Sequence, residues 1–264
     1  MSPGDVSLRP TIDRSWLERA AAEDPVAHAF ALWDLDRFPD RVRFVSALRG
    51  DTTTGYLLIW LGRAAVVVHW FGAIEEAPVL AEALPPRPLV VVAPEEVRRE
   101  VERARGPLVS YPVLLLIAPA GVAPAAVPPA GTARRLTADD RTQLRELTAG
   151  HDELVASGYA TVDPGQEVVW GVFEDGGLCG VGRATVFRSS VWILGGVFVH
   201  PARRGRGFGH TLVRAVLADA RRAGVPVGLY VREDRPAARA IYERAGFRPH
   251  GRRTWMDGGT GLEP

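Results

Sequence analysis

The segment at residues 197–209 constrains this chain more than any other; it reads Val-Phe-Val-His-Pro-Ala-Arg-Arg-Gly-Arg-Gly-Phe-Gly. A short apolar run, typical of a buried strand, ends at a proline, and an arginine- and glycine-rich turn follows. The glycines allow a tight turn and bring backbone N–H groups close to a ligand. A helical pattern begins directly after the turn, so the helix dipole adds positive charge there. We therefore predict an anion-binding turn, the Arg/Gly loop, in which Arg203, Arg204 and Arg206 offer forked donors to phosphate.

The residues after the Arg/Gly loop complete a βαβ unit. Apolar residues recur with helical period at Phe208, Leu212, Val213, Val216, Leu217 and Ala220. Gly224 and Pro226 are typical of a helix end, and Val227–Val231 reads as a short buried strand. The order of strand, turn, helix and strand predicts a right-handed crossover.

Two common phosphate-binding motifs are excluded by the residues of the loop. The chain contains no lysine, so it cannot form a P-loop with its Gly-Lys pair. Gly205, Gly207 and Gly209 are followed by His210, so the spacing does not fit the dinucleotide pattern Gly-x-Gly-x-x-Gly. What remains is an Arg-x-x-Gly-x-Gly pattern at residues 204–209.

This pattern resembles the acyl-CoA pyrophosphate loop of the GCN5-related N-acetyltransferase (GNAT) superfamily. Residues 237–247, which read Ala-Ala-Arg-Ala-Ile-Tyr-Glu-Arg-Ala-Gly-Phe, resemble the second signature of the same family. The resemblance implies direct transfer of an acyl group, most simply acetyl from acetyl-CoA, to a primary amine without a covalent enzyme intermediate. The Gly-Gly strand at 193–199 is similar to the FR47-like and glycine N-acyltransferase-like branch. That branch favours a small molecule or an amino acid as acceptor over a protein.

The resemblance also implies roles for individual residues. Pyrophosphate binding falls to Arg204, Gly205, Arg206, Gly207, Phe208 and Gly209. The pantetheine chain would pair with the backbone of Val197, Phe198 and Val199, with the N–H of Val197 facing the thioester oxygen. Tyr242 is the implied general acid for the leaving thiolate, since a phenol with a pKa near ~10 can supply that proton.

The chain departs from the family pattern at two places. Many relatives carry a glutamate that acts as the general base on the strand before the loop. In this chain that strand, at residues 193–199, contains no carboxylate. Other candidate bases are His151, Asp152, Glu153, Glu167 and Asp234. Relatives often have asparagine where this chain has Arg235, which either reaches a CoA phosphate or alters CoA binding. His200 and His210 flank the loop and are interpreted as incidental, although His210 could touch a phosphate.

Composition excludes several other classes of protein. The 264 residues are 47% hydrophobic with a formal net charge of +1, so no global charge favours nucleic acid. Cys179 is the single cysteine, which rules out an internal disulfide and fits a cytoplasmic protein. The six histidines show no zinc spacing, so we predict no metal. The start lacks a signal-peptide pattern and prolines interrupt Val113–Gly131, so no membrane span is expected.

The order of the predicted elements indicates two domains. An alanine- and proline-rich linker at 119–131 separates an N-terminal domain at 1–118 from a C-terminal domain at 132–264. The predicted strands and helices occur in nearly the same order in both halves. This order predicts two tandem GNAT-like α/β (α+β) domains, each a mixed twisted sheet with flanking helices. In the first half, Glu75 and Glu76 stand where the Arg/Gly loop would fall and would repel a pyrophosphate. We therefore expect a degenerate first domain without a CoA loop, acting as a packing partner or as a wall of the acceptor site.

Two functions remain open from the sequence. The first is an N-acetyltransferase that uses acetyl-CoA and an unidentified amine acceptor. The second is a non-catalytic acyl-CoA sensor or scaffold, which the missing strand carboxylate and Arg235 favour and the presence of Tyr242 opposes.

Overall fold

The computed structural model describes residues 6–62, 65–121, 129–262 and 264. The chain forms two compact units. The first contains the described residues up to Leu115 together with Arg232–Asp234 and Gly251–Pro264, and the second contains the described residues of Leu116–Val231 together with Arg235–His250. Residues 122–128 of the predicted linker lie outside the described residues.

The first unit is built on a mixed sheet with strand order β1-β2-β3-β4-β5-β12-β6. Its strands are β1 (Val6–Arg9), β2 (Val42–Arg49), β3 (Thr52–Leu61), β4 (Val66–Phe71), β5 (Leu89–Ala93), β6 (Val109–Ala118) and β12 (Arg248–Asp257). Neighbours from β1 to β4 are antiparallel, β4 and β5 are parallel, and β5 and β12 are antiparallel.

Helices cover both faces of this sheet. They are α1 (Arg14–Glu23), α2 (Ala29–Arg37), α3 (Ala77–Glu82) and α4 (Arg98–Arg105). Side chains alternate between the faces of a strand, so consecutive buried residues of β3 belong to different cores. Leu57 packs with Leu80 and Val101 of α3 and α4, whereas Tyr56 and Leu58 pack in the core formed with α1 and α2.

The second unit has a sheet with strand order β11-β10-β9-β8-β7. Its strands are β7 (Thr132–Arg135), β8 (Val169–Glu174), β9 (Gly177–Phe187), β10 (Trp192–Val199) and β11 (Val227–Arg232). The pairs from β7 to β10 are antiparallel, and β10 and β11 are parallel. Each unit therefore repeats one pattern, in which four antiparallel strands are followed by a parallel one. This confirms the predicted class of mixed α/β sheets with flanking helices.

In the second unit, the helix after the Arg/Gly loop ends at Gly224, as the sequence predicted, and three further helices lie among the described residues. The four α-helices are α5 (Arg141–Ala149), α6 (Asp152–Ala156), α7 (Phe208–Ala223) and α8 (Pro236–Ala245). Gly224, with φ 69°, ends α7, and Gly246, with φ 104°, ends α8. Both adopt the left-handed conformation that glycine tolerates without strain. None of the helices in the described ranges is long and apolar enough to cross a membrane.

The last strand differs from the sequence expectation. The C-terminal domain predicted at 132–264 includes the last strand, but β12 pairs with β5, and Thr254 lies opposite Ala93. Met256 is fully buried in the core that contains Val91. The alternating pattern identifies this segment as a strand, but it carries no information on which sheet accepts it.

Candidate active site

Strand β10 separates from β11 halfway along its length. The register pairs Trp192–Leu194 with Val227–Leu229, and among the described residues it extends no further toward Val199. On its other edge β10 pairs with β9 up to Val199, with an irregularity between Gly195 and Phe198. The β11-facing backbone groups of this half of β10 can therefore accept an extended ligand in the manner of an added strand.

A bulge marks the point of separation. Gly196 has φ 57°, and a Cβ atom there would lie 2.7 Å from Cε2 of Tyr159, so both conformation and space require glycine. The Tyr159 hydroxyl donates a hydrogen bond to the Gly196 carbonyl at 2.9 Å. Sequence reasoning missed Tyr159, which lies in an aperiodic stretch and becomes notable only through this contact.

The Arg/Gly loop has the backbone that anion binding requires. A 3₁₀ turn at Pro201–Arg203 is followed by Gly205 with φ 76° and Gly207 with φ 89°, and Gly207 precedes the first residue of α7. The first amides of a helix lack acceptors within the helix, so their N–H groups are available to a ligand.

The arginines of this loop are paired with carboxylates. Nη1 of Arg203 lies 2.7 Å from Oε2 of Glu174, and Arg206 binds the same carboxylate. Arg204 donates from Nη2 to Oε2 of Glu153 at 2.9 Å and from Nε to the Val199 carbonyl at 3.0 Å. About half of each arginine side chain is exposed, so a solvent-borne anion can compete for all three guanidinium groups.

The remaining predicted loop and strand residues divide into packing and backbone roles. Phe208 is buried, and the Arg206 guanidinium lies 5.3 Å from the centre of its ring. A Cβ atom on Gly209 would lie 3.1 Å from Cδ1 of Ile241, so glycine allows α7 and α8 to pack closely. Phe198 is buried in the core beneath α5 and α6, so a contribution from Phe198 to ligand binding falls to its backbone.

Tyr242 is buried on α8, with its ring centre 5.8 Å from that of Phe247. Burial raises the pKa of its hydroxyl to about 12. It also interacts electrostatically with the Tyr159 hydroxyl, whose pKa is raised mainly by burial. Of these two tyrosines, Tyr159 is the one whose hydroxyl is bonded to the Gly196 bulge.

Residues 136–247 match the model of the acetyltransferase (GNAT) family. This segment of the chain resembles the GNAT family. This range includes the bulge, the Arg/Gly loop and Tyr242, so the resemblance predicted from the two sequence signatures is confirmed.

Similar proteins extend the likeness unevenly along the chain. A segment of 67 residues is 42% identical to the mycothiol acetyltransferase of Clavibacter sepedonicus, covering 25% of this chain and 21% of that protein. The solved structure of a Drosophila protein is similar with a TM-score of 0.69 at 17% identity, over 95% of this chain and 97% of the other. A tandem GNAT protein from the clavulanic acid biosynthesis pathway is similar with a TM-score of 0.57 at 16% identity, over 96% and 99%. At these identities the structural likenesses show the fold alone.

Three of the candidate bases in and around the GNAT domain are engaged by arginines. Glu153 binds Arg204, and Oε2 of Glu167 lies 3.9 Å from Nη1 of Arg183. Asp234 accepts a hydrogen bond from Nε of Arg232 at 2.9 Å, and both residues belong to the first unit. Asp152 is exposed in the first turn of α6.

His151 is a candidate base whose ring packs against Phe198 of the predicted CoA strand. Its Nδ1 lies 2.7 Å from the Leu147 carbonyl, which can only accept, so Nδ1 carries the proton and Nε2 of the neutral ring is the acceptor. The ring centre lies 4.8 Å from those of Phe198 and His200.

Two further predicted residues are Arg235, directly before α8, and His210, in α7. Arg235 is exposed immediately before α8. His210 is buried and bonded to the backbone of Arg244, and burial lowers its pKa, so it is a neutral packing residue at neutral pH. Within the described ranges, no group of three or more His, Cys, Asp and Glu side chains could hold a metal ion.

Proposed function

We propose that the GNAT domain transfers an acetyl group from acetyl-CoA to a primary amine on a small molecule or an amino acid. The observation that carries this proposal is the coincidence of three features in one unit. These are the half of β10 left unpaired by β11, the two left-handed glycines before α7, and the buried hydroxyl of Tyr242.

Cosubstrate binding follows from the charges and free donors of the loop. The pyrophosphate accepts hydrogen bonds from the backbone N–H groups of 204–209 and replaces Glu153 and Glu174 as partner of the arginines. The pantetheine amides pair with the open backbone edge of Val197–Val199, which sets the thioester beside the Gly196 bulge.

The reaction needs an oxyanion donor and a path for one proton. The amine nitrogen attacks the thioester carbon, and the N–H of Val197 donates to the oxygen as it becomes an oxyanion. The C–S bond then breaks, and Tyr242 donates a hydrogen bond to the leaving thiolate. Because the pKa of about 12 exceeds that of a thiol, near ~8.5, Tyr242 stays protonated as a donor while the thiolate forms. The proton that leaves the nitrogen, through water to Nε2 of His151 or to Glu167, ends on the sulfur.

We also propose that the first unit is a degenerate GNAT-like domain without an acyl-CoA site. It repeats the strand pattern of the second unit, and the tandem GNAT likeness spans 96% of the chain. After β4, however, the chain carries Glu75 and a buried Glu76, whose Oε1 lies 3.1 Å from Nε of Arg49.

A second candidate function is an acyl-CoA sensor without catalysis. The observation that favours it is that β10 carries no carboxylate, while Glu153 and Glu167 are engaged by arginines. Measuring acetyl-CoA-dependent thiol release with a panel of primary amines separates the two. Release above the background hydrolysis rate supports the transferase. Tight acetyl-CoA binding without release for any amine supports the sensor, and the absence of acetyl-CoA binding contradicts both.

A further inference from the structure

We propose that Arg183 binds a carboxylate on the acceptor, so that the acceptors of this domain are amino acids or closely related aminocarboxylates. The inference rests on the proposed function, because it requires the thioester to lie at the Gly196 bulge. It concerns the acceptor side, for which the family match and the similar proteins assign no residue in this chain.

Arg183 stands beside the bulge. It lies on β9 directly opposite Gly195 of β10. Its guanidinium carbon is 5.4 Å from the centre of the Tyr159 ring, and the Tyr159 hydroxyl is bonded to the Gly196 carbonyl. Guanidinium, phenol and bulge thus form one cluster at the point where β10 separates from β11.

An arginine is an unexpected residue at this position of the sheet. Val181, two residues earlier on the same face, is fully buried, and so is Val169, which lies opposite Arg183 on β8. Only 23% of the Arg183 side chain is exposed. A guanidinium placed among buried apolar residues loses hydration, so its N–H groups require acceptors.

The protein supplies those acceptors incompletely. Nη2 donates to the Ser157 carbonyl at 2.9 Å, and Nη1 lies 3.9 Å from Oε2 of Glu167, beyond hydrogen-bond distance. Nε is buried and has no hydrogen-bond partner among the described residues. A planar guanidinium with unused donors matches a carboxylate, which accepts two parallel hydrogen bonds.

Glu167 makes the charge pattern more specific. Its carboxylate is held by the Asp163 backbone N–H at 3.3 Å and stands next to the Arg183 guanidinium. A guanidinium and a carboxylate side by side are complementary to the carboxylate and the ammonium of an amino acid. A polyamine or an amino sugar would bring only positive charge to Arg183 and would be repelled.

Paired acceptors test the proposal. We would measure thiol release at saturating acetyl-CoA with L-amino acids and with their carboxamides, compared at equal concentrations of free amine. We expect the acids to have a kcat/KM roughly 10- to 100-fold higher than the amides. Arg183→Gln should remove this preference by raising KM for the acids with little change in kcat. Arg183→Lys should restore part of it, because the charge returns without the fork.

Two controls separate recognition from folding. Arg221→Gln removes the same charge from an exposed position in the last turn of α7 and should leave the preference intact. Calorimetric titration of N-acetyl-L-amino acids and their amides into the protein saturated with CoA does not depend on turnover. The acids should bind the unaltered protein more tightly, and Arg183→Gln should abolish the difference.

The outcomes distinguish this inference from the proposed function. Two results would overturn the inference: an equal kcat/KM for acids and amides in the unaltered protein, or an equal loss of kcat/KM for both in Arg183→Gln. Arg183 would then have only a structural role, through its hydrogen bond to the Ser157 carbonyl. The same holds if no N-acetyl-L-amino acid binds. Failure to bind acetyl-CoA would overturn the proposed function, and the calorimetric comparison of acids and amides, repeated without CoA, would then decide the inference alone.

Discussion

The chain leaves β4 and β10 by turns that occupy the same place in the strand pattern of the two units, after the last of four antiparallel strands. After β4 it passes through Gly72 to Glu75 and Glu76, and α3 has 6 residues. After β10 it passes through Gly205 and Gly207 into α7, which has 16 residues. The second turn combines free helix amides with arginines, whereas the first presents carboxylates.

The glycines of the two turns serve different purposes. A Cβ atom on Gly55 would lie 2.8 Å from the Cα atom of Gly72, so the first turn uses glycine to pack against β3. Among the described residues, a Cβ atom on Gly205 would meet nothing within 4 Å, and one on Gly207 would meet only Cβ of Ala130, at 3.4 Å. Glycine in the second turn thus supplies conformation and leaves the backbone accessible. The two turns therefore differ in charge and in the role of glycine, and the proposed function rests on that difference.

Placing a carboxylate in the second turn should have the largest effect. Gly207→Asp sets a negative charge at the pyrophosphate position and strains a residue with φ 89°, so acetyl-CoA affinity should fall about 100-fold or more. Gly50→Asp is the matched control in the first unit, because Gly50 has φ 59° and open space around it. Titration of both variants, with thermal melting to confirm folding, checks this. If Gly207→Asp bound acetyl-CoA as tightly as Gly50→Asp does, the Arg/Gly loop would not be part of the acetyl-CoA site.

The buried tyrosines of the two units should also behave differently. Tyr242→Phe should lower turnover roughly 100-fold with little change in acetyl-CoA affinity, because only the hydrogen bond to the leaving thiolate is lost. Tyr56→Phe removes a fully buried hydroxyl that is bonded to Nδ1 of His28 at 2.7 Å in the first unit. It should cost about 1 kcal/mol of stability and leave turnover unchanged. Full activity in Tyr242→Phe would exclude that hydroxyl from the mechanism.

A buried carboxyl in each unit should respond to pH in the opposite direction. Arg134 binds both oxygens of Asp140, at 2.7 and 2.8 Å, and this is the main cause that lowers the pKa of Asp140 to about 2. Burial alone raises the pKa of Asp34 to about 7. The lowered pKa stabilises the fold above the unfolded-state value near ~3.9, and this contribution is lost as pH falls toward 2. The raised pKa of Asp34 stabilises the fold below the unfolded-state pKa near ~3.9, and this contribution is lost as pH rises through 7.

Denaturant titrations of two amide variants measure this difference. Asp140→Asn should cost about 2 kcal/mol at pH 7 and little near pH 2. Asp34→Asn should stabilise the protein at pH 8 and have little effect near pH 4. The same pH dependence for both variants would contradict the opposite environments assigned to the two carboxyls.

The smallest effect is expected from releasing one loop arginine. Glu153→Gln removes the carboxylate 2.9 Å from Arg204, so acetyl-CoA should bind a few-fold more tightly, since the pair is exposed. Glu75→Gln makes the same change at an exposed site in the turn after β4 and should have no effect. Weaker binding in Glu153→Gln would mean that Glu153 orients Arg204 rather than competing for it.

Much of the GNAT domain could be predicted from the sequence because its signals are local. Neighbouring residues are enough to predict the glycines that end α7 and α8, the Arg/Gly loop, and the order of strands along the chain. The pairing of β12 with β5 could not be predicted, because a strand pattern does not identify its partner. Tyr159 and Arg183 were missed for the same reason, since they meet the bulge across 37 residues of chain and across a strand pair.

The stoichiometry of acetyl-CoA binding tests the central difference between the two units most directly. We would titrate acetyl-CoA calorimetrically into the purified protein, with CoA as a competitor and ATP as a control for general phosphate binding. A single site per chain, displaced by CoA and indifferent to ATP, is the predicted result. Two equivalent sites, or no saturable binding by the folded protein, would contradict the assignment of acyl-CoA binding to the second unit alone.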